Sequence, residues 1–369
     1  MSRILILANH SGGLYDFRGE LPRRLIAAGN EVAASVPDET KTKELAADGV
    51  RIIHTDLDRR GVNPAKDLRL VREYRALLKK ERPDLVLTYT IKPNIYGGFV
   101  CSRLGIPYIA TVTGLGSTFE RGGALLRLIV FMYRAGLRKA ACVVFQNAEN
   151  KAVFARYGIR GRKSLLVSGS GVDLQVHRQA PYPGHEGAQT VFLYVGRIMR
   201  EKGIDEYLEA AKRLHAEYGE RAAVKTIGFC DEDYSGILQR AQEEGYLEAL
   251  PFDRNITPHL VQADAVVLPS YHEGMSNTLM EAAATGRPVL ASDISGCREI
   301  VDDGQSGFLF KARDAQSLYE AMCRFMETPP EKRRAMGIAG RQKMEREFDR
   351  SKVMDAYMQE IREALQQKV

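Results

Sequence analysis

The chain has 369 residues, of which 44% are hydrophobic and 27% are charged, and its formal net charge is +6. This length favours two domains of ordinary globular composition, and no apolar run approaches the roughly 18 residues of a membrane-spanning helix. The modest positive charge suits anionic partners, such as nucleotide diphosphates or acidic lipid surfaces, and is too small to indicate nucleic-acid binding.

The first half of the chain alternates strand and helix patterns. Strands are predicted at 4–8, 31–36, 51–54, 84–88, 108–111, 141–145 and 164–167, and helices at about 18–28 and 65–82. The apolar run at the N-terminus is therefore a first strand and not a signal peptide. Strands separated by helices predict a parallel, doubly wound α/β sheet.

A second α/β pattern follows a break in the first. The segment 176–189 is rich in proline, glycine and polar residues, which predicts an interdomain linker. The strand pattern restarts at 191–195 and continues to about residue 310, and a helical tail begins near Gln316.

Within the second pattern, residues 264–291 read D-A-V-V-L-P-S-Y-H-E-G-M-S-N-T-L-M-E-A-A-A-T-G-R-P-V-L-A. This stretch predicts a strand at 265–268, a helix at 278–285 and a strand at 288–291. The loop before the helix lies at the carboxyl edge of the sheet, where its amides and the helix N-terminus favour an anion. Glu273 and Glu281 flank this loop. From the residues alone, Thr278-x-x-Glu281 also fits a capping box, and Glu273 fits a solvated carboxylate.

Two cations follow the first strand of the second pattern, in the run V-G-R-I-M-R-E-K-G. Arg197 and Lys202 are predicted to face a ligand site, because they directly follow a strand and their charges favour an anionic group. The alternative is a pair of solvated loop cations, and Arg200 between them is predicted to be on the surface.

Three groups of residues in the first pattern are candidates for ligand contacts at the carboxyl edge of the first sheet. Gly12 and Gly13 follow the first strand in a predicted loop, without a G-x-G-x-x-G dinucleotide signature, and permit close approach of the backbone to a donor phosphate or an acceptor. Arg18 is a candidate anion ligand on the acceptor side, or a helix-start arginine in a surface pair. Lys92 and Asn94 follow the strand at 84–88 and are predicted to point into the ligand cleft.

No metal site is predicted. Asp56-Leu57-Asp58 and Asp231-Glu232-Asp233 each form D-x-D, but two-residue matches are common by chance, and both are interpreted as surface turns. Five scattered cysteines without a C-x-x-C pair predict reduced thiols in a cytoplasm.

The segment 121–139 is apolar with interspersed basic residues. Arg127, Arg134 and Arg138 are seven and four residues apart and share one helical stripe. A basic amphipathic helix suits a membrane surface that carries an anionic lipid diphosphate, whereas a core-facing helix with a solvated basic face explains the pattern equally well.

The run E-G-M-S-N-T-L-M-E-A-A-A-T-G-R-P-V resembles the E-x7-E signature of glycosyltransferase family 4. These are retaining enzymes of the GT-B fold, in which two Rossmann-like, doubly wound α/β domains face each other across a cleft. The resemblance implies that Glu273 lies by the donor sugar, that Glu281 binds the nucleotide ribose, and that Arg197 and Lys202 bind the diphosphate. It also implies donor contacts from the loop residues Gly274, Met275, Ser276, Asn277 and Thr278.

A further resemblance concerns the acceptor. Many family members have a histidine where this chain has Thr113, so a histidine-based role is not carried over. The T-G-L-G form at 113–116 is similar to a subgroup that extends undecaprenyl-diphosphate-linked sugars, including enzymes that add N-acetylgalactosamine to lipid-linked bacillosamine. Thr113 is therefore grouped with Arg18, Lys92 and Asn94 on the acceptor side.

The resemblance implies an acceptor-binding domain at 1–178, a nucleotide-sugar-binding domain at 190–345, and a C-terminal helix at 346–369 that crosses back to the first domain. The predicted function is retaining, metal-independent transfer of a hexose or N-acetylhexosamine from a UDP-sugar to a polyprenyl-diphosphate-linked saccharide. The predicted place is the cytoplasmic face of a bacterial cell membrane, with no cofactor besides the co-substrate. A sugar-nucleotide epimerase of the same architecture and a non-catalytic nucleotide-sugar-binding subunit are the alternatives.

Overall fold

The computed structural model describes residues 1–58, 63–115, 119, 122–183 and 189–366. The chain divides into two compact units, Met1–Ser170 with Ser351–Val369, and Gly171–Arg350. Among the described residues, no helix has both the length and the apolarity needed to cross a membrane.

The first unit is a seven-stranded parallel sheet with helices on both faces. Its strands are β1 (Arg3–Leu7), β2 (Glu31–Val36), β3 (Arg51–His54), β4 (Leu85–Tyr89), β5 (Tyr108–Val112), β6 (Cys142–Phe145) and β7 (Ser164–Leu166). Its helices are α1 (Ser11–Arg18), α2 (Glu20–Ala27), α3 (Thr42–Ala47), α4 (Pro64–Glu81), α5 (Gly98–Leu104), α6 (Gly123–Leu137) and α7 (Ala148–Arg156), with a π-helical turn at Pro93–Gly97. The strand order is 3-2-1-4-5-6-7, so the winding direction reverses between β1 and β4.

The C-terminal helix, Arg350–Gln366, completes the core of the first unit. It buries a stripe of side chains against residues of the inner strands: Val353, Met354, Tyr357, Ile361 and Ala364. The Tyr357 hydroxyl also lies 2.9 Å from the Thr111 hydroxyl on β5.

The second unit repeats the architecture with six parallel strands. They are β8 (Thr190–Val195), β9 (Ala222–Ile227), β10 (Glu248–Leu250), β11 (Ala265–Leu268), β12 (Val289–Ser292) and β13 (Gly307–Phe310). The helices are α8 (Ile204–Tyr218), α9 (Ser235–Glu243), α10 (Thr257–Gln262), α11 (Asn277–Ala284), α12 (Ala315–Glu327) and α13 (Pro330–Lys343), with short 3₁₀ turns at Arg200–Lys202 and Gly219–Arg221 and a π-helical turn at Met344–Phe348. The order is 10-9-8-11-12-13, which places the reversal between β8 and β11.

The inner strands of both sheets are buried along their whole length because helices cover both faces. The predicted fold class, two Rossmann-like doubly wound domains, is confirmed. Two local expectations differ. Gly12 and Gly13 lie in the first turn of α1 and not in a loop. The described part of the segment predicted as a linker packs on the second unit, where the Tyr182 hydroxyl donates to Asp264 O and Arg287 donates to Pro181 O.

Candidate functional site

The reversal point of the second sheet brings two loops together. The loop after β8 carries Lys202, and the loop after β11 carries Glu273. Gly203 has φ +73°, and a Cβ added to it would lie 2.0 Å from Pro269 O, so only glycine permits this approach. The Tyr271 N–H also donates to Glu201 O at 3.0 Å. Ligands bind at such reversal points in open α/β sheets, which makes this edge the candidate site.

Lys202 and Glu273 form a close ion pair at this edge. Lys202 Nζ lies 2.5 Å from Glu273 Oε1, and the two side chains are 19% and 13% exposed. Both side chains are therefore ordered before a ligand arrives. An incoming anion would compete with Glu273 for Lys202.

Arg197 lies in the same loop as Lys202 and is oriented by Asp231. Its Nη1 donates to Asp231 Oδ2 at 2.8 Å, while the arginine side chain stays 42% exposed. Asp231 is the first aspartate of the D-x-D motif at 231–233, and it orients the Arg197 guanidinium. The interpretation of this motif as a surface turn missed that role. No cluster of metal-ligand type occurs within the described ranges.

Glu281 takes no part in capping its helix. Helix α11 begins at Asn277, and its N-cap is Ser276, whose hydroxyl accepts from the Leu279 N–H at 3.3 Å. Leu279 is the third helical residue and Glu281 the fifth, so the capping-box interpretation with Thr278 as N-cap is wrong. The Glu281 side chain is 15% exposed, and its Oε1 lies 3.9 Å from His177 Nε2.

Gly296, in the segment after β12, packs closely against the backbone of the predicted donor loop. Gly296 has φ +86°, and an added Cβ would lie 2.8 Å from Glu273 O and 2.9 Å from Gly274 O. The Ser276 N–H donates to Gly296 O at 2.9 Å, so this amide is already engaged within the protein, while the Ser276 hydroxyl accepts from the Leu279 N–H. Met275 is buried in the core of the unit. Asn277 and Thr278 occupy the first turn of α11. The Ser295-Gly296 pair after a strand was a signal that could have identified this support.

Gly12 and Gly13 lie beside a helix N-terminus that already holds a carboxylate. Asp38 accepts hydrogen bonds from the Ser11 N–H at 2.8 Å and the Ser11 hydroxyl at 2.5 Å. Partial burial opposes ionisation, but the bonds from Ser11 and Thr40 outweigh it and lower the pKa of Asp38 to about 2. The Gly13 N–H donates to His10 Nδ1 at 2.9 Å. A second anion would therefore meet a charged carboxylate here, and a phosphate contact at these glycines is disfavoured.

The four predicted acceptor-side residues have different surroundings. The Arg18 guanidinium lies 4.9 Å from the centre of the Tyr89 ring at the carboxyl end of β4. Lys92 Nζ lies 2.7 Å from Asp67 Oδ1. Thr113 is half-buried just after β5.

Asn94 requires a correction, because its side chain does not point into a cleft. It is only 1% exposed. Its Oδ1 accepts from the Thr88 hydroxyl at 2.6 Å, and its Nδ2 donates to Thr111 O at 2.8 Å. Asn94 therefore ties β4 to β5 inside the core, and its burial keeps the amide away from an acceptor.

Comparison with known proteins supplies the family. A family model for "Glycosyl transferases group 1" matches residues 189–328, and one for "Glycosyl transferase 4-like domain" matches residues 12–168. Together they span most of both units. The chain belongs to the family 4 glycosyltransferases.

Several proteins resemble this glycosyltransferase over most of their length. One is the Campylobacter jejuni N,N'-diacetylbacillosaminyl-diphospho-undecaprenol alpha-1,3-N-acetylgalactosaminyltransferase, 25% identical over 88% of this chain and 89% of the relative. Another is the Escherichia coli UDP-Gal:alpha-D-GlcNAc-diphosphoundecaprenol alpha-1,3-galactosyltransferase, 26% identical over 75% of each chain. The crystal structure of Anabaena Alr3699/HepE in complex with UDP-glucose shares the fold, with a TM-score of 0.80, 18% identity and coverage of 98% of this chain and 100% of that one.

The exposed side of the basic helix α6 carries apolar side chains as well as arginines. Leu125, Leu128 and Phe131 are 44%, 51% and 69% exposed, alongside exposed Arg127 and Arg134. The opposite face buries Leu126, Val130, Tyr133 and Leu137. The helix is thus core-facing on one side and apolar as well as basic on the other, so neither predicted explanation excludes the other.

Proposed function

We propose that this glycosyltransferase moves a sugar from a UDP-sugar to a polyprenyl-diphosphate-linked saccharide, with retention of configuration and without a metal ion. The observation that carries the proposal is the arrangement of Lys202, Glu273 and Arg197 at the reversal point of the second sheet, beside the helix that bears Glu281. The Campylobacter and Escherichia relatives, both named for diphospho-undecaprenol-linked substrates, support an acceptor of this class. The UDP-glucose complex of the Anabaena protein supports the donor class.

The charges at the site support diphosphate binding. Arg197 offers a planar fork of donors and Lys202 a compact charge, which together suit the two phosphates. As the diphosphate attracts Lys202, the Glu273 carboxylate gains the freedom to face the sugar. The negative charge that develops on the leaving group then meets two preformed cations.

In the proposed reaction an acceptor hydroxyl oxygen bonds to the anomeric carbon of the donor sugar. The bond from that carbon to the β-phosphate oxygen breaks, and UDP leaves with the electron pair. The acceptor proton moves to the departing phosphate oxygen, so no side-chain nucleophile is needed. Attack on the face that UDP vacates gives retention.

The decisive experiment supplies the purified protein with UDP-sugars and an undecaprenyl-diphosphate saccharide, with and without EDTA. We expect a saccharide longer by one sugar, an α-linkage from an α-linked donor by NMR, and unchanged activity in EDTA, because Arg197 and Lys202 neutralise the diphosphate. Loss of activity in EDTA that Mn²⁺ or Mg²⁺ restores would refute the metal-independent mechanism. Conversion of the UDP-sugar to its epimer without acceptor would establish the epimerase alternative, and tight UDP-sugar binding without turnover would establish the non-catalytic one.

We also propose that the outer face of α6 contacts an anionic bilayer at the cytoplasmic side of the cell membrane. Leu125, Leu128 and Phe131 supply apolar area for the acyl boundary, and Arg127 and Arg138 supply charge for the headgroups. Arg134 has a second task, since its guanidinium donates to Tyr157 O at the end of α7. A lipid-linked acceptor would be presented at the same surface.

A further inference from the structure

The segment that enters the second unit, residues 171–183, is fixed to the helix that bears Glu281. Arg341 Nη1 donates both to His177 O at 2.8 Å and to Ala284 O, the last residue of α11, at 2.9 Å. The Ala180 N–H donates to Thr285 O at 3.2 Å. Arg287, which is fully buried, donates to Pro181 O at 2.6 Å. The entering segment therefore keeps a constant position relative to α11.

This anchoring places the His177 side chain beside Glu281. The His177 side chain is largely buried, and Nε2 lies 3.9 Å from Glu281 Oε1. Burial, assisted by the positive charge of Arg350 and opposed by Asp173, lowers the pKa of His177 to about 4. The imidazole is consequently neutral near pH 7, so this ring places no positive charge beside Glu281.

The surroundings of the ring select one tautomer. The buried Nδ1 of His177 has no hydrogen-bond partner among the described residues. With the proton on Nδ1, a buried donor would stay unsatisfied, and the Nε2 lone pair would face a carboxylate. With the proton on Nε2, the N–H faces Glu281, which is the favourable arrangement. At 3.9 Å the two groups are not hydrogen-bonded, so an orienting role for His177 requires this contact to shorten when the nucleotide binds.

We propose that His177 is a positioning residue for Glu281, whose imidazole N–H orients the carboxylate to accept two hydrogen bonds from the ribose diol of the nucleotide. The inference rests on the proposed ribose role of Glu281. In this proposal His177 acts through the carboxylate and does not bind the nucleotide itself, so its loss should act on nucleotide affinity. We expect KM for the UDP-sugar to rise while kcat stays close to that of the parent.

The test measures the Kd of UDP by calorimetry for His177→Phe and His177→Gln. Phenylalanine keeps the bulk and burial but removes the N–H, so Kd should rise about three- to tenfold, equivalent to roughly 0.7–1.4 kcal/mol. Glutamine keeps an amide N–H near the Nε2 position and should restore most of the affinity. His215→Phe, in the last turn of α8, is the matched control and should bind UDP like the parent.

A double-mutant cycle makes the inference specific. In the Glu281→Gln background, His177→Phe should cause little additional loss, because the group that it positions has been altered. An equal loss in both backgrounds, or parental affinity in His177→Phe, would overturn the inference. If His177→Phe is poorly folded, the comparison of His177→Gln with His177→Asn replaces it, since the shorter amide cannot reach Glu281, and equal affinities would overturn the inference. Parental affinity of Glu281→Gln would instead refute the ribose assignment itself.

Discussion

At the residue scale, the capping of α11 and the proposed ribose binding belong to two different residues, Ser276 and Glu281. Ser276 caps α11, whereas Glu281 lies two positions beyond the residue that the cap engages. Glu281→Gln should therefore leave the unliganded melting temperature near that of the parent. Because the amide NH₂ cannot accept from a hydroxyl, UDP should bind about tenfold more weakly, a loss of roughly 1.4 kcal/mol.

Ser276→Ala is the matched control for that prediction. Loss of the cap costs about 1 kcal/mol of stability, which lowers the melting temperature by a few degrees. Its effect on UDP affinity should be much smaller than that of Glu281→Gln. If Glu281→Gln lowers the melting temperature and leaves UDP affinity unchanged, Glu281 is a structural residue.

Gly203 is the residue on which the approach of the two site loops depends. An alanine there would place Cβ 2.0 Å from Pro269 O at φ +73°. We expect a loss of roughly 2–5 kcal/mol, combining left-handed strain and overpacking. The Lys202–Glu273 pair should separate, so UDP affinity should fall with stability, as calorimetry and thermal melts would show.

Gly245→Ala is the control that separates left-handed backbone strain from the steric crowding expected in Gly203→Ala. Gly245 has φ +80° with nothing within 4 Å of an added Cβ, so only the left-handed penalty of about 1–2 kcal/mol applies. UDP affinity should not change. Equal stability losses at Gly203 and Gly245 would show that the approach of the loops tolerates a side chain.

At the element scale, the outer face of α6 determines whether the protein binds a bilayer. Replacing Arg127, Arg134 and Arg138 with Gln should weaken co-sedimentation with acidic vesicles, and rising salt should release the parent protein. Replacing Leu125, Leu128 and Phe131 with Ser should remove the salt-resistant part of binding. Gln at the exposed positions Arg72, Arg75 and Lys79 of α4 removes the same charge and should have little effect. Unchanged sedimentation of both α6 variants would leave only a core-facing helix.

At the scale of the whole molecule, the last helix of the chain stabilises the first unit. It buries five side chains in that core, of which Val353, Met354 and Ile361 are each worth roughly 1.5–3 kcal/mol, and the sum of these three is comparable to the stability of a whole domain. A chain ending at residue 350 should therefore lose the first unit to limited proteolysis while a fragment beginning near residue 171 survives. Tyr357→Phe, which removes only the contact with the Thr111 hydroxyl, should cost about 1 kcal/mol. A truncated chain that resists proteolysis throughout would contradict this role.

The sequence by itself determined the fold class and the main candidate residues. Alternating apolar strands and helices force a doubly wound sheet, because each strand must be covered on both faces. Local order decides which strand each residue follows, so Arg197, Lys202 and Glu273 could be predicted after the carboxyl ends of strands, and the family resemblance added Glu281 on the following helix. The hydrophobic pattern and the order of residues after a strand are local properties, and they do not depend on how distant segments pack.

Only the tertiary structure decided how those residues are held. Asp231 on Arg197, Gly296 under the Glu273 loop and His177 beside Glu281 come from segments distant in sequence. Asn94 was misplaced for a related reason, because a polar residue after a strand can turn inward when core hydroxyl and carbonyl groups satisfy it. Which groups meet across strands depends on register and packing, and a linear pattern of polarity carries neither.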